Sequence, residues 1–320
     1  MGGFALYKKG NKMNLKGKDF IDIEDFTKED LSELIDLAQV LKKKVKNNET
    51  IDICKNKTLL LYFEKPSLRT RLSFETGITK LGGNPLFITK EEIDPGKRES
   101  IEDTSRVMSK MVDALAIRTF AHSTLEKFAQ YSSVPVINAL TDKSHPCQIM
   151  ADILTIKEHF GSLKDKKLAY VGDGNNILHS LLTGCSLFGI NISAATPKGY
   201  GAEEETIKLA EKFAQSSNSS VEILTDPIEA VKNADIVYTD TWTSMGREAE
   251  AKIRKTIFKD YQLNENLLKN ASKNHIVMHC LPAHKGEEID FDTFEKHSDT
   301  LFNQAENRRY AQMAIMAAIM

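Results

Sequence analysis

The segment Ser67-Leu68-Arg69-Thr70-Arg71 places two hydroxyls and two guanidiniums just after an apolar run, Thr58–Phe63, and a turn-like Lys65-Pro66-Ser67. Where a strand turns into a helix, the first N–H groups of the helix are free and carry partial positive charge, which suits phosphate. Guanidiniums beside them add charge-assisted bonds. Taken alone, the same residues read equally well as an N-capping serine with two solvated arginines. Arg118 follows a second apolar run, Ala114–Ile117. His145-Pro146-Cys147-Gln148 opens a helical stretch, and its proline sets the helix start so that His145 and Gln148 can aim at one point. An imidazole and an amide there can donate to a carbonyl oxygen that gains charge during acyl transfer.

Three more polar segments follow apolar runs. Gly172-Asp173-Gly174-Asn175-Asn176 half resembles a dinucleotide loop, but Ile177 stands where the third glycine belongs and no acidic residue ends the next strand near Ala195. Both departures argue against nucleotide binding. Asp240-Thr241-Trp242-Thr243-Ser244-Met245-Gly246 sets a carboxylate at a strand end, followed by a small polar loop with the single Trp. His279-Cys280-Leu281-Pro282 is the third, and Asp240 and Cys280 are expected on neighbouring strand ends, both facing a substrate amine. A free cysteine is otherwise most often a small buried core residue.

The elements that must position these groups alternate. Strands are predicted at Thr58–Phe63, Pro85–Ile88, Ala114–Ile117 and Val134–Asn138, with helices at Arg69–Leu81, Ser100–Met111 and Ser123–Tyr131. The alternation restarts at Lys167–Val171 and runs through Asn191–Ala195, Ser220–Leu224, Ile236–Asp240 and Ile276–His279, with a helical stretch Gln148–Phe160 between the two series. Strand–helix alternation means right-handed crossovers and parallel strands. The expected fold is therefore α/β, with two doubly wound parallel-sheet domains joined by helices. In such sheets ligands bind off the carboxyl ends of the strands, where the polar segments fall.

With 320 residues the chain is long for one core. Its net charge of -2 excludes a broad polyanion-binding surface, so nucleic acid is not an expected partner. Four cysteines (Cys54, Cys147, Cys185, Cys280) without a CxxC pair argue against a disulfide framework or structural zinc, and for a reducing, cytoplasmic setting. The apolar runs are too short to span a bilayer, and Lys8, Lys9 and Lys12 are not followed by the apolar stretch of a secretory signal. Met13 is an alternative start.

Together the six segments, in this order and spacing, resemble the ornithine carbamoyltransferase family over nearly the whole chain, from Phe63-Glu64-Lys65-Pro66-Ser67 to Ala305-Glu306-Asn307-Arg308. The resemblance implies a carbamoyl-phosphate-binding domain at 1–148, with helix 305–320 packing back on it, and an ornithine-binding domain at 149–304. It implies that Ser67, Leu68, Arg69 and Thr70 hold phosphate, and that Arg118, His145 and Gln148 hold the carbamoyl group and phosphate. Cys280, Leu281 and Arg308 would complete the carbamoyl-phosphate site. Asn176, Asp240, Ser244 and Met245 would take ornithine, with Asp240 and Cys280 at the reacting amine. The catalytic set is then Arg118, His145, Gln148, Asp240 and Cys280. The family also implies homotrimers with active sites between subunits, and no metal or organic cofactor.

Two residues depart from the family pattern. Leu68 replaces a threonine of the phosphate turn, and Asp94 stands where Gln or His is usual, so that a carboxylate would repel phosphate unless Lys97 or Arg98 offsets it. The implied reaction is carbamoyl transfer from carbamoyl phosphate to the δ-amine of L-ornithine, giving L-citrulline and phosphate, with domain closure and the loop after Trp242 as a lid. The rivals are transfer to putrescine or aspartate, a non-catalytic anion-binding relative, and a nucleotide-binding oxidoreductase.

Overall fold

The structure, a computed structural model, describes residues 14–244, 246 and 248–320. Lys8, Lys9, Lys12, Met13 and Met245 lie outside the described residues. By its internal contacts the chain divides into a first unit, running to Leu154 and including Glu306–Met320, and a second, Thr155–Ala305.

The first unit carries helix α1 (Lys28–Lys46), strand β1 (Thr58–Phe63), α2 (Leu68–Lys80), β2 (Asn84–Thr89), α3 (Lys90–Ile93), α4 (Ile101–Ser109), β3 (Ala114–Arg118), α5 (His122–Tyr131) and β4 (Val136–Leu140). The chain leaves it within α6 (Pro146–Phe160). The second unit carries β5 (Lys167–Val171), α7 (Asn176–Phe188), β6 (Asn191–Ala195), α8 (Glu204–Ser217), β7 (Val221–Leu224), α9 (Pro227–Val231), β8 (Ile236–Thr239), α10 (Ala251–Ile257), α11 (Glu265–Leu268), β9 (Ile276–His279) and α12 (Phe291–Lys296). Helix α13 (Ser298–Ile319) returns the chain to the first unit. The domain boundary expected at 148/149 falls inside α6, and the contact division falls further along the same helix, at Leu154/Thr155.

All strand pairs in both sheets are parallel. The orders are β2-β1-β3-β4 and β7-β6-β5-β8-β9. In the first sheet the order reverses between β1 and β3, and in the second between β5 and β8. A reversal sends the two flanking crossovers to opposite sides and leaves a crevice at the carboxyl ends of those strands. Central strands are covered on both faces and so read as continuous apolar runs, as in Leu59–Phe63, which is buried throughout. The edge strand β2 alternates instead and tolerates Pro85, whose missing N–H is not needed at an edge.

Local chemistry sets the element ends. Ser67, Ser100 and Asn175 cap α2, α4 and α7 through their side chains, and Gly189 ends α7 with φ 81°. Strand β4 starts two positions later than predicted, at Val136: Pro135 has no N–H for the ladder, and pairing with β3 begins at Leu115↔Val136. Its outer edge is covered by Phe20, which donates to Val136 O and accepts from Asn138 N. Arg118 proves to be the last residue of β3 rather than the first beyond it.

Gly174 explains the glycine-rich look of its loop. A Cβ there would run into the backbone carbonyl of Gly201, and Gly174 N donates to Tyr200 O at 2.8 Å. The glycine serves loop-on-loop packing, and its N–H is already engaged there. Gly174→Ala is expected to destabilise the protein by about 1–3 kcal/mol, as overpacking against backbone does, read as a lower midpoint in urea at unchanged slope. An unchanged midpoint would show that the 201 loop can yield.

Two candidate half-sites

The first half-site lies in the first unit, at the ends of β1 and β3, where Phe63 pairs with Arg118. Ser67 caps α2, its Oγ accepting from Thr70 N at 3.3 Å and donating to Thr70 Oγ1 at 3.0 Å. Thr70 Oγ1 also accepts from Arg308 Nη2 at 2.8 Å and Arg118 Nη1 at 3.4 Å. Thr70, Arg118, His145, Gln148 and Arg308 are all buried, Arg69 is half-buried, and Leu68 is exposed. The structure thus joins Ser67, Thr70, Arg118, His145 and Arg308 through hydrogen bonds at one helix N-terminus, and α13 supplies Arg308.

His145 Nε2 lies 3.4 Å from Arg308 Nη2. A guanidinium only donates, so Nε2 accepts and the ring proton sits on Nδ1. Burial above all, then the charges of Arg308, Arg118 and Lys65, hold the imidazole well below its usual pKa, so it is neutral. Gln148 donates from Nε2 to Asp152 Oδ1 at 2.8 Å, while its buried Oε1 has no hydrogen-bond partner among the described residues. In this amide orientation the group left to offer is an acceptor, whereas the sequence reading made it a donor.

Lys65 was missed by the sequence reading. It is buried, with Nζ 4.5 Å from the centre of the Phe120 ring. Burial, then the neighbouring Arg118, push its pKa down to about 8. The signal was a lysine inside the turn before Ser67. Asp94 stands apart from this cluster of cations in its bonding: it caps α3 with φ 36° and its Oδ2 meets Lys97 Nζ at 3.4 Å. Arg98 instead donates to Glu92 O, so Lys97 is the residue that offsets the carboxylate.

The second half-site lies in the second unit, at the ends of β5, β8 and β9. Thr239 pairs with His279, so Asp240 and Cys280 each follow the last rung of adjacent strands. Cys280 Sγ donates to Asp240 Oδ1 at 3.0 Å, and Asn175 Nδ2 donates to Asp240 Oδ2 at 2.8 Å. Asp240 is buried and pairs with no cation among the described residues. The amide that meets it belongs to Asn175, whose Oδ1 caps α7, while Asn176, expected at the α-amino acid end of ornithine, is the first residue of α7. Both asparagines were visible in the sequence, but only the cap geometry says which one turns back to Asp240. Ser244 is half-buried, and the predicted Met245 lies outside the described residues.

A layer of bonds fixes the ends of β9. Leu281 N donates to His279 Nδ1 at 2.9 Å, so the His279 proton is on Nε2, which donates to Glu288 Oε1 at 3.0 Å. His279 N donates to Gln304 Oε1. Leu281 has φ 58° and its bond to Pro282 is cis. Ligand atoms of Asp240, His279 and Cys280 lie within 4.8 Å of one another, as do those of His284, Glu287 and Glu288. Both His279 nitrogens are already bonded, and Glu287 meets Lys255 at 2.7 Å, so each trio is better described as a hydrogen-bonded or ion-paired network than as a set of metal ligands.

One half-site therefore concentrates buried cations around a helix N-terminus, and the other sets a buried carboxylate among neutral donors. Two known domain families match successive parts of the chain. Residues 18–158 match the aspartate/ornithine carbamoyltransferase carbamoyl-P binding domain, and residues 164–319 match the Asp/Orn binding domain. The ornithine carbamoyltransferase of Thermococcus kodakarensis is 46% identical over 308 residues, covering 96% of this chain and 98% of that protein. That of Carboxydothermus hydrogenoformans is 46% identical over 305 residues, covering 95% and 98%. Among solved structures, ornithine carbamoyltransferase from Pyrococcus furiosus superposes with a TM-score of 0.93 at 44% identity, covering 96% of this chain and 98% of that one. The anabolic enzyme from Campylobacter jejuni superposes with a TM-score of 0.89 at 39% identity, covering 93% and 97%. On two domain matches that together span nearly its whole length, the chain belongs to the aspartate/ornithine carbamoyltransferase family.

Proposed function

We propose that this protein transfers the carbamoyl group of carbamoyl phosphate to the δ-amine of L-ornithine, giving L-citrulline and phosphate in arginine metabolism. The observation that carries the choice of acceptor is Asp240, a buried carboxylate whose bonding partners, Asn175 and Cys280, are neutral. Such a group favours a cationic guest, because an incoming ammonium supplies the charge that burial otherwise makes costly. An aspartate acceptor would call for cations there instead. The names of the relatives support the same acceptor.

Carbamoyl phosphate binds with its phosphate on Ser67, Leu68 N–H, Arg69 and Thr70 and against Arg118. Arg118, Thr70 and neutral His145 polarise the carbamoyl oxygen, and the Cys280 and Leu281 carbonyls and Arg308 complete the site. Gln148 Oε1 suits the carbamoyl NH2 better than its oxygen. Ornithine is held by Asn176 and by Ser244 and Met245, with Asp240 and Cys280 orienting its δ-amine. A free amine has a pKa of about 10, so one proton is lost before attack. The neutral nitrogen adds to the carbamoyl carbon, and the donors that polarised the oxygen hold the tetrahedral intermediate. The bond from that carbon to the phosphate oxygen then breaks, and the second nitrogen proton leaves with phosphate. No step in this scheme needs a metal or organic cofactor.

Assembly and location follow the same reading. Exposed Leu68 and Leu72 on α2 and Leu86 on β2 support a self-association face, and we infer a homotrimer with shared active sites. No helix among the described residues is long and apolar enough to cross a membrane, and the four free cysteines support a cytoplasmic location.

Three measurements test these points. Ureido product should form rapidly from carbamoyl phosphate with ornithine and without added cofactor, while aspartate and putrescine react poorly. Faster reaction with putrescine would leave the first half-site intact and overturn the role of Asp240. Lys65 is charged below about pH 8 and neutral above it, so KM for carbamoyl phosphate should rise as pH passes through that value. Lys65→Met should abolish that pH dependence, and a Lys65→Met profile that still bends there would assign it elsewhere. Sedimentation should give three times the 35.9 kDa chain mass, and a fully active monomer would contradict the shared-site reading.

A further inference from the structure

Arg254, on α10, is among the largest fully buried side chains, with 1% of its surface exposed. A buried cation costs several kcal/mol unless it is paired and its hydrogen bonds are made. Here Nη1 donates to Asp173 Oδ1 at 2.9 Å and to Trp242 O at 2.8 Å, and Nε donates to Glu250 Oε2 at 2.9 Å. The rings of Tyr200 and Phe258 flank the guanidinium, at 5.0 and 5.8 Å from its central carbon.

The two anchors sit in different loops. Asp173 belongs to the loop after β5, two residues before Asn175. Trp242 belongs to the loop after β8, two residues beyond Asp240. Those loops meet through the bond from Asn175 to Asp240. We propose that Arg254 is a positioning residue for the amine acceptor: one guanidinium ties the Asp173 and Trp242 loops together and thereby holds the Asn175–Asp240 pair in the geometry that receives the substrate ammonium. The inference rests on the ornithine reading of Asp240 and adds a residue that touches no substrate.

A purely structural role is the alternative, and the chemistry of the site weighs against it. Apolar side chains of similar volume commonly stabilise as well as a buried ion pair. What they cannot do is bond two separate loops at once, which here takes the two N–H groups of Nη1. Lysine keeps the charge on a single ammonium, which loses the Nε bond to Glu250 that orients the head and so cannot hold the geometry of both Nη1 bonds to the loops.

The test is steady-state kinetics on the full-length protein, wild type beside Arg254→Lys and Asp173→Asn, with each substrate varied in turn. A displacement of even 1 Å in a positioned group lowers turnover by about 10²-fold. Both variants should therefore lose about that much kcat/KM for ornithine, much of it as a raised KM, while KM for carbamoyl phosphate stays within about twofold. A merely structural role predicts a lower Tm and a smaller active fraction with both KM values unchanged. That result, or an equal rise in both KM values, overturns the clamp while the ornithine reading stands. Wild-type protein that fails to carbamoylate ornithine overturns both.

Discussion

Parallel pairing is the constraint from which the chemistry of this protein follows. When every strand of a sheet runs the same way, every carboxyl end emerges on one edge, and each crossover helix begins there with its unpaired N–H groups. Where the strand order reverses, neighbouring crossovers diverge and the edge opens. The first sheet reverses between β1 and β3, and the Ser67–Thr70 helix start and Arg118 stand at those two ends. The second reverses between β5 and β8, where Asn175 and Asp240 stand, with Cys280 on the adjoining β9. The polar groups need no special loop to reach one another, because strand register already brings their backbones alongside.

Burial then makes these groups effective. In water a guanidinium or carboxylate is screened and solvated, and its pull on a substrate is weak. Arg118, Arg308 and His145 are nearly inaccessible, as is Asp240. Their fields act through low dielectric, and the cost of placing them there is met by hydrogen bonds such as Arg308 to Thr70 and Asn175 to Asp240. The same burial keeps His145 neutral and brings Lys65 into the range of working pH. One environment therefore decides both which groups are charged and how strongly they act.

The two half-sites differ in how much of their support is local. Around Thr70 the organising bonds come from the helix cap and from a distant helix, α13. Around Asp240 they come from adjacent loops, and those loops are backed by Arg254, which bonds to both of them. Support of that kind is sensitive to geometry rather than to charge alone, since lost alignment weakens directed bonds before it weakens attraction.

Much of this was legible in the residues themselves. The α/β alternation, the bounds of β1, β5, β6 and β9, the serine cap of α2, and the carboxylate and thiol on neighbouring strand ends all follow from patterns spanning a few residues: apolar runs, capping side chains, turn residues. Such patterns report local preference, and local preference decides elements. What the sequence could not show involves partners far apart along the chain. That Gly174 is there to let Gly201 approach, that Asn175 rather than Asn176 meets Asp240, that Gln148 keeps its oxygen to offer, that Lys65 is buried under Phe120, and that Arg254 joins two loops were decided by tertiary structure. Each of these is a matter of a few tenths of an ångström or of lost solvent, and neither quantity exists until the chain has folded.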